Sequence, residues 1–157
     1  MQHTFKALVN WTVNEGEQTN NPRASSRNHT VHISDSKPDL PVSAAKAFRG
    51  EDSLYNPEDL MLSALASCHL MSYLYVCAQH KVEVVKYTDN AEAFLEVEFS
   101  GRGSFSRALL KPQVLIKERS QIDLAKRLHQ DAHQLCFIAN SCNFPITVEA
   151  TVSAVGN

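Results

Sequence analysis

The sequence predicts a single α+β domain over residues 1–157. Three observations carry this. Segments of alternating apolar and polar residues stand both before and after one long apolar segment, Leu60 to Ala78, which contains no Asp, Glu, Lys or Arg. A later segment, from Ser120 to Leu135, repeats its apolar residues at helical spacing. The length suits one domain with a real core, and 43% apolar with 20% charged residues is the balance of a soluble globular chain.

Taken in order, Phe5, Ala7, Val9, Trp11 and Val13 alternate with Thr4, Lys6, Asn10 and Thr12, which predicts a half-buried strand over 3–13. Residues 14–26 are a polar turn, and Arg27 to Ser34 suits a short second strand. Residues 35–55, with Pro38, Pro41 and Gly50, read as an irregular loop, and loops of this length inside a domain are often functional. Asn56 then opens a helix. It is an N-cap residue, with Pro57 at the first helical position and Asp59 at the third. Tyr55 and Leu60 occupy the two staple positions, and Glu58 and Asp59 suit the positive end of the helix dipole. The helix is expected to run to about Gln79.

Beyond it, Val82 to Tyr87 reads as a strand and Thr88-Asp89-Asn90 as a turn. Leu95, Val97 and Phe99 alternate with Glu96 and Glu98, and Gly101-Arg102-Gly103 turns the chain. Ala108, Leu110, Val114 and Ile116 mark another strand. Ser120 caps a helix whose apolar face is Ile122, Ala125, Leu128, Ala132 and Leu135. Ile146, Val148, Ala150, Val152 and Ala154 alternate through a last strand after Pro145.

Charge and composition exclude some functions. A net charge of −2 and a pI of 6.4 imply no basic face, which argues against nucleic acid and anionic membranes as partners. The first residues show no charged leader followed by an apolar core, so the expected setting is cytoplasmic and reducing, where the four cysteines are catalytic, metal-binding or inert. Leu60 to Ala78 spans about 28 Å as a helix, close to a bilayer's thickness. Its serines, tyrosines and His69, and the lack of a flanking positive cluster, favour a helix buried at the centre of a domain or a dimer.

Two thiols stand out. Cys68 lies mid-way in the apolar helix, and Cys136 follows the second helix in Ala132-His133-Gln134-Leu135-Cys136-Phe137. A second cysteine brought near a first is the usual route from sulfenic acid to disulfide. Each is equally a small buried hydrophobe on its own, as Cys77 is taken to be. His69 follows Cys68 directly, but helix neighbours point about 100° apart, so the two are not expected to form a dyad. His129 and His133, four apart with Cys136 beyond, have metal-ligand spacing but no fourth ligand at motif spacing. Cys142 is a further thiol, six residues past Cys136.

Asn56-Pro57-Glu58-Asp59-Leu60 followed by Ala64-Leu65-Ala66-Ser67-Cys68 resembles the central helix of the OsmC/Ohr family of hydroperoxide reductases. Ala132-His133-Gln134-Leu135-Cys136 resembles that family's second cysteine motif, and the order of strands fits too, so the resemblance covers nearly the whole chain. It implies antiparallel sheets around a long buried central helix plus a second helix, in an intertwined homodimer. It implies a thiol-dependent peroxidase in oxidative-stress defence, acting on organic hydroperoxides, with Cys68 as the peroxidatic thiolate and Cys136 as the resolving thiol. An external dithiol, such as a lipoylated protein, would reduce the disulfide, and no cofactor or metal is implied. An arginine would stabilise the thiolate, with Glu58 orienting it; Arg49 is the first choice, then Arg27, then Arg23. The physical need is a cation beside a thiolate held in apolar surroundings. Glu58 and Cys68 are ten residues apart on one helix, about 15 Å along its axis, so Glu58 reaches the thiolate only through a long arginine or from a partner chain. Phe137 stands where the family often has proline, which leaves Cys136 and Cys142 both open as the resolving thiol. Tyr55 and Phe137 would suit an apolar substrate. The competing reading is a non-catalytic module of the same fold, with a small hydrophobic ligand at the dimer interface.

Overall fold

The structure, a computed structural model, describes residues 1–17, 19–20 and 25–156. Its internal contacts divide it into two compact units, Met1–Met61 and Leu62–Asn157.

The first unit holds an antiparallel sheet of β1 (Leu8–Asn10), β2 (His29–His32) and β3 (Leu40–Val42), in that order. The strand expected over 3–13 is regular only where β2 lies beside it, with Val9 opposite Val31. Phe5, Leu8, Val9 and Trp11 are all exposed, so the alternating face has no covering layer in the single chain. The polar turn at 14–26 falls partly outside the described residues. The long loop after β2 is more ordered than its composition suggests. It contains β3 and a 3-10 turn, Lys46–Phe48, closed by Arg49 in the left-handed conformation. Buried Ser43 ties the loop together: its Oγ accepts from the Glu51 N–H at 3.1 Å, and its own N–H donates to the Tyr55 carbonyl at 2.8 Å. Gly50 is required here, because a Cβ would overlap the Ala44 carbonyl.

Helix α1 (Pro57–Gln79) begins at the end of this unit and runs on into the second. Its start is a reciprocal cap. The Asp59 N–H donates to Asn56 Oδ1 at 2.9 Å, and Asn56 Nδ2 donates back to Asp59 Oδ2 at 2.7 Å. Its end is a Schellman turn: Lys81 takes the left-handed position and the Val82 N–H reaches back to the Cys77 carbonyl at 2.9 Å. The helix is not buried all round. Leu65, His69, Tyr73, Val76 and Cys77 form the buried face, while Met71, Leu74 and Tyr75 stay exposed. By length and composition alone it could cross a bilayer.

The second unit is built on two three-stranded sheets, β4 (Val84–Asp89), β7 (Pro112–Ile116) and β9 (Thr151–Ala154) in one, β5 (Glu92–Val97), β6 (Gly103–Leu110) and β8 (Ile146–Val148) in the other. The strand orders correspond: β4 runs on to β5, β6 to β7, and β8 to β9. The two sheets are therefore halves of one bent sheet, folded at residues 90–91, 111 and 149–150. Asp89 holds the bend, its Oδ1 accepting from the Lys111 N–H at 2.7 Å. This is why one alternating pattern reads through 108–116 and another through 146–154 although each is two strands. Ala108, Leu110, Pro112, Val114 and Ile116 are all buried, and the alternation never loses phase. Two further expectations are corrected. The sheets are mixed, not antiparallel: β8 pairs parallel with β6, and β9 parallel with β7. The return through helix α2 (Ile122–Leu135) brings the chain back in the same direction, as a helical crossover does. Ser120 does not cap α2; it lies in a 3-10 turn, Arg119–Gln121, that leads into it.

The main core lies between α1, α2 and the bent sheet. Tyr73, Val76 and Cys77 meet Val114 and Ile116 on one side and Ala125, Leu128 and Ala132 on the other. Burying each of the larger aliphatic side chains stabilises the fold by about 1.5–3 kcal/mol. A second cluster, Leu65, Ala108, Leu110, Cys136 and Ala139, with Cys68 packed against it, lies nearer the start of α1.

Candidate active site

That second cluster contains the two thiols singled out by their sequence contexts. Cys68 is half-buried in α1, and Cys136 is fully buried directly after the last residue of α2. The alternation of small and large residues on the buried face of α2, Ala125, Leu128 and Ala132, seats that helix on the core and so delivers Cys136 to α1. The backbone extends at Cys136 and then makes a short 3-10 turn, Ala139–Ser141, whose Ala139 N–H donates to Cys136 Sγ at 3.4 Å.

Burial pushes the Cys136 thiol up to about 11, opposed next by the Ala139 N–H, while the neighbouring Cys68 sulfur adds a smaller upward push. Cys136 therefore keeps its proton at neutral pH. The pair is asymmetric. Cys136 is sealed, whereas Cys68 opens on a cavity of about 430 Å³. Met71, Ser72 and Tyr75 line it from α1, and Leu135 and Phe137 from either side of Cys136. None of these carries a charge, and among the described residues the polar side chains in the lining besides the thiol are Ser72 and Tyr75. All four cysteines are free. Cys142 is half-buried in the turn beyond Cys136, and burial alone raises its pKa. Cys77 is packed in the main core, and burial raises it as well.

The other expected site residues belong to the first unit. Glu58 sits in the first turn of α1, half-buried, and its Oε2 is buried without a hydrogen-bond partner. Arg49 is exposed in its left-handed turn position, and Arg27 is exposed just before β2. Arg23 lies outside the described residues. Phe137 lines the cavity, while Tyr55 is an exposed residue of the first unit.

The histidines arrange themselves differently from their sequence spacing. His129 finds its partner on α1: His69 Nε2 and His129 Nδ1 are 3.1 Å apart in the core. The Tyr73 ring stacks on His129 at 3.8 Å. Burial, then the charge of His133, holds His69 down to about 4; burial, then the charge of His69, holds His129 down to about 3. Both are neutral at pH 7. Among the described residues no group of three or more His, Cys, Asp or Glu side chains is placed to hold a metal ion. His69 and His129 are 60 residues apart, so no local pattern announces the pair. Met71, Ser72, Tyr75 and Leu135 were also not singled out from the sequence; their helical spacing from Cys68 and Cys136 was the available signal.

A bent mixed sheet enclosing two helices, with a thiol pair where the helices meet and one thiol open to an apolar cavity, defines a thiol-centred α+β protein. The family model described as OsmC-like protein matches residues 50–151. The chain belongs to the OsmC-like family. Among solved structures it is similar to an OsmC-like protein of unknown function from Vibrio cholerae, at 28% identity and a TM-score of 0.86, covering 96% of this chain and 100% of that one. It also shares its fold with an organic hydroperoxide resistance protein from Elizabethkingia anophelis, at 22% identity and a TM-score of 0.66, covering 98% of each chain. A third similar structure is the organic hydroperoxide resistance protein OsmC from Legionella pneumophila, at 19% identity and a TM-score of 0.65, covering 97% of this chain and 99% of that one. No curated protein matches the chain.

Proposed function

We propose that this protein is a thiol-dependent peroxidase that reduces organic hydroperoxides. The observation that carries the reading is the asymmetric thiol pair, with Cys136 held protonated against Cys68 while Cys68 opens on an uncharged cavity. The Cys68 thiolate attacks the terminal peroxide oxygen. The O–O bond breaks, the alkoxide leaves and takes a proton as an alcohol, and Cys68 becomes sulfenic acid. Cys136 then attacks that sulfur. Its proton leaves with the sulfenic hydroxyl as water, and a Cys68–Cys136 disulfide forms. An external dithiol, a lipoylated protein being one of suitable chemistry, reduces the disulfide by exchange. The working setting is the cytoplasm, in defence against oxidative stress.

A thiolate in an apolar cavity needs a positive partner. None of the residues lining the cavity is cationic. That charge is assigned to Arg49, with Arg27 second, and its orientation to Glu58. The unpartnered, buried Glu58 Oε2 supports this assignment, since a buried carboxylate oxygen calls for a donor. The protein acts as an intertwined homodimer, and the exposed Met71, Leu74 and Tyr75 on α1 support this as the face that a second copy covers.

The test is steady-state consumption of cumene hydroperoxide with a dithiol reductant. Cys68→Ser is expected to abolish it. With the dithiol left out, Cys136→Ser is expected to reduce one equivalent of peroxide and stop with sulfenic acid on Cys68. Undiminished turnover by Cys68→Ser would overturn the reading.

A further inference from the structure

His129 Nε2 is among the buried polar atoms that lie outside this chemistry. His129 is 4% exposed, and its Nε2 has no hydrogen-bond partner. Its other nitrogen, Nδ1, is engaged by His69 Nε2 at 3.1 Å. Both rings are neutral, so each carries a single N–H, and two arrangements are possible. If His129 donated, the His69 Nδ1–H would be a donor sealed in a fully buried side chain with no acceptor. If His69 donates, the orphan donor is His129 Nε2–H instead. A buried donor without a partner is the rarer and costlier fault, so the second arrangement is favoured wherever Nε2 has an acceptor within reach.

The residue borders a space large enough for one. His129 lines a cleft of about 330 Å³ between α2 and β8. Lys126, Arg127, Gln130 and His133 line it from the same helix, and β8 contributes an apolar wall through Ile146. His133 Nδ1 is likewise buried and unpartnered. The spacing of His129 and His133 is that of a metal site, but the charge is wrong for a cation. Two permanent positive charges line the cleft and no Asp or Glu does. Asp123 and Asp131, the acidic residues of α2, are exposed and lie outside the lining. Positive charge, a neutral buried N–H donor and an amide together match an oxyanion, which is acceptor on every side.

We propose that the α2–β8 cleft binds a small oxyanion, a phosphate or a carboxylate, which accepts from His129 Nε2–H and is held by Lys126, Arg127 and His133. The site is separate from the thiol pair and does not depend on the peroxidase reading.

The test is a titration of the intact protein at pH 7.5 and constant ionic strength, followed by the ring resonances of His129 and His133 in nuclear magnetic resonance. One arm uses inorganic phosphate and the other succinate. Saturable shifts of both rings are expected in at least one arm, and the arm that saturates identifies the group. The double variant Lys126→Gln, Arg127→Gln is expected to weaken that binding at least about tenfold, since the loss of two charge-assisted contacts is large on this scale. His133→Gln, which leaves both charges in place, is expected to weaken it as well. Linear, non-saturating drift in both arms, or equal affinity in the double variant, would overturn the proposal.

Discussion

At the scale of single residues, two buried pairs do different work. The thiol pair is asymmetric by environment: burial raises the pKa of Cys136, whereas Cys68 opens on a cavity. The imidazole pair is a stability element with a pH signature. His69 and His129 lie near 4 and 3 when folded, against 6.5 as free groups. Both folded values are depressed, so the unfolded chain binds more protons once the pH falls below about 6.5. Stability is therefore full above that pH and falls on acidification towards 4, by up to about 1.4 kcal/mol per pH unit for each histidine. Urea unfolding at pH 7 and pH 5 is expected to show a lower midpoint at pH 5. His69→Gln is expected to reduce that difference, and an unchanged difference would contradict the role given to the pair. The thiol pair was expected from the resemblance that joins its two motifs; the imidazole pair was not. Cys68 and Cys136 drew notice through their separate motifs, whereas His69 pointed nowhere until α2 was placed against α1.

At the scale of elements, what local chemistry controls was readable. The Asn56-Pro57-x-Asp59 start of α1 needs no tertiary information, and the helix begins at Pro57. Asn56→Ala is expected to lower stability by about 1 kcal/mol, read as a fall in the thermal midpoint, because the Asp59 N–H loses its acceptor. Alternation was readable too, and it placed Ala108 to Ile116 and Ile146 to Ala154 on a common inward face. What alternation cannot carry is partner identity. It does not distinguish one long strand from two that share a phase across a bend, nor a parallel neighbour from an antiparallel one. Ser120 misled for a related reason: a good cap residue was overridden by the 3-10 turn that precedes α2. Apolarity on every side of α1 was likewise correct as a pattern and ambiguous as to what covers each face.

At the scale of the whole molecule, that ambiguity becomes a prediction. Within one chain, α1 buries Leu65, His69, Tyr73, Val76 and Cys77 and leaves Leu74 39% and Tyr75 57% exposed. If a second copy covers that face, the protein sediments as a dimer, and Leu74→Arg is expected to yield a monomer by placing a charge in the contact. A wild-type monomer at micromolar concentration would contradict the dimer. The proposed thiol chemistry can be followed without turnover. Reduced protein is treated with one equivalent of cumene hydroperoxide, and its disulfides are mapped by peptide mass spectrometry. The account predicts rapid loss of two thiols per chain and a Cys68–Cys136 link, with Cys77 and Cys142 unchanged. Four thiols intact after minutes, or a link that omits Cys68, would contradict it.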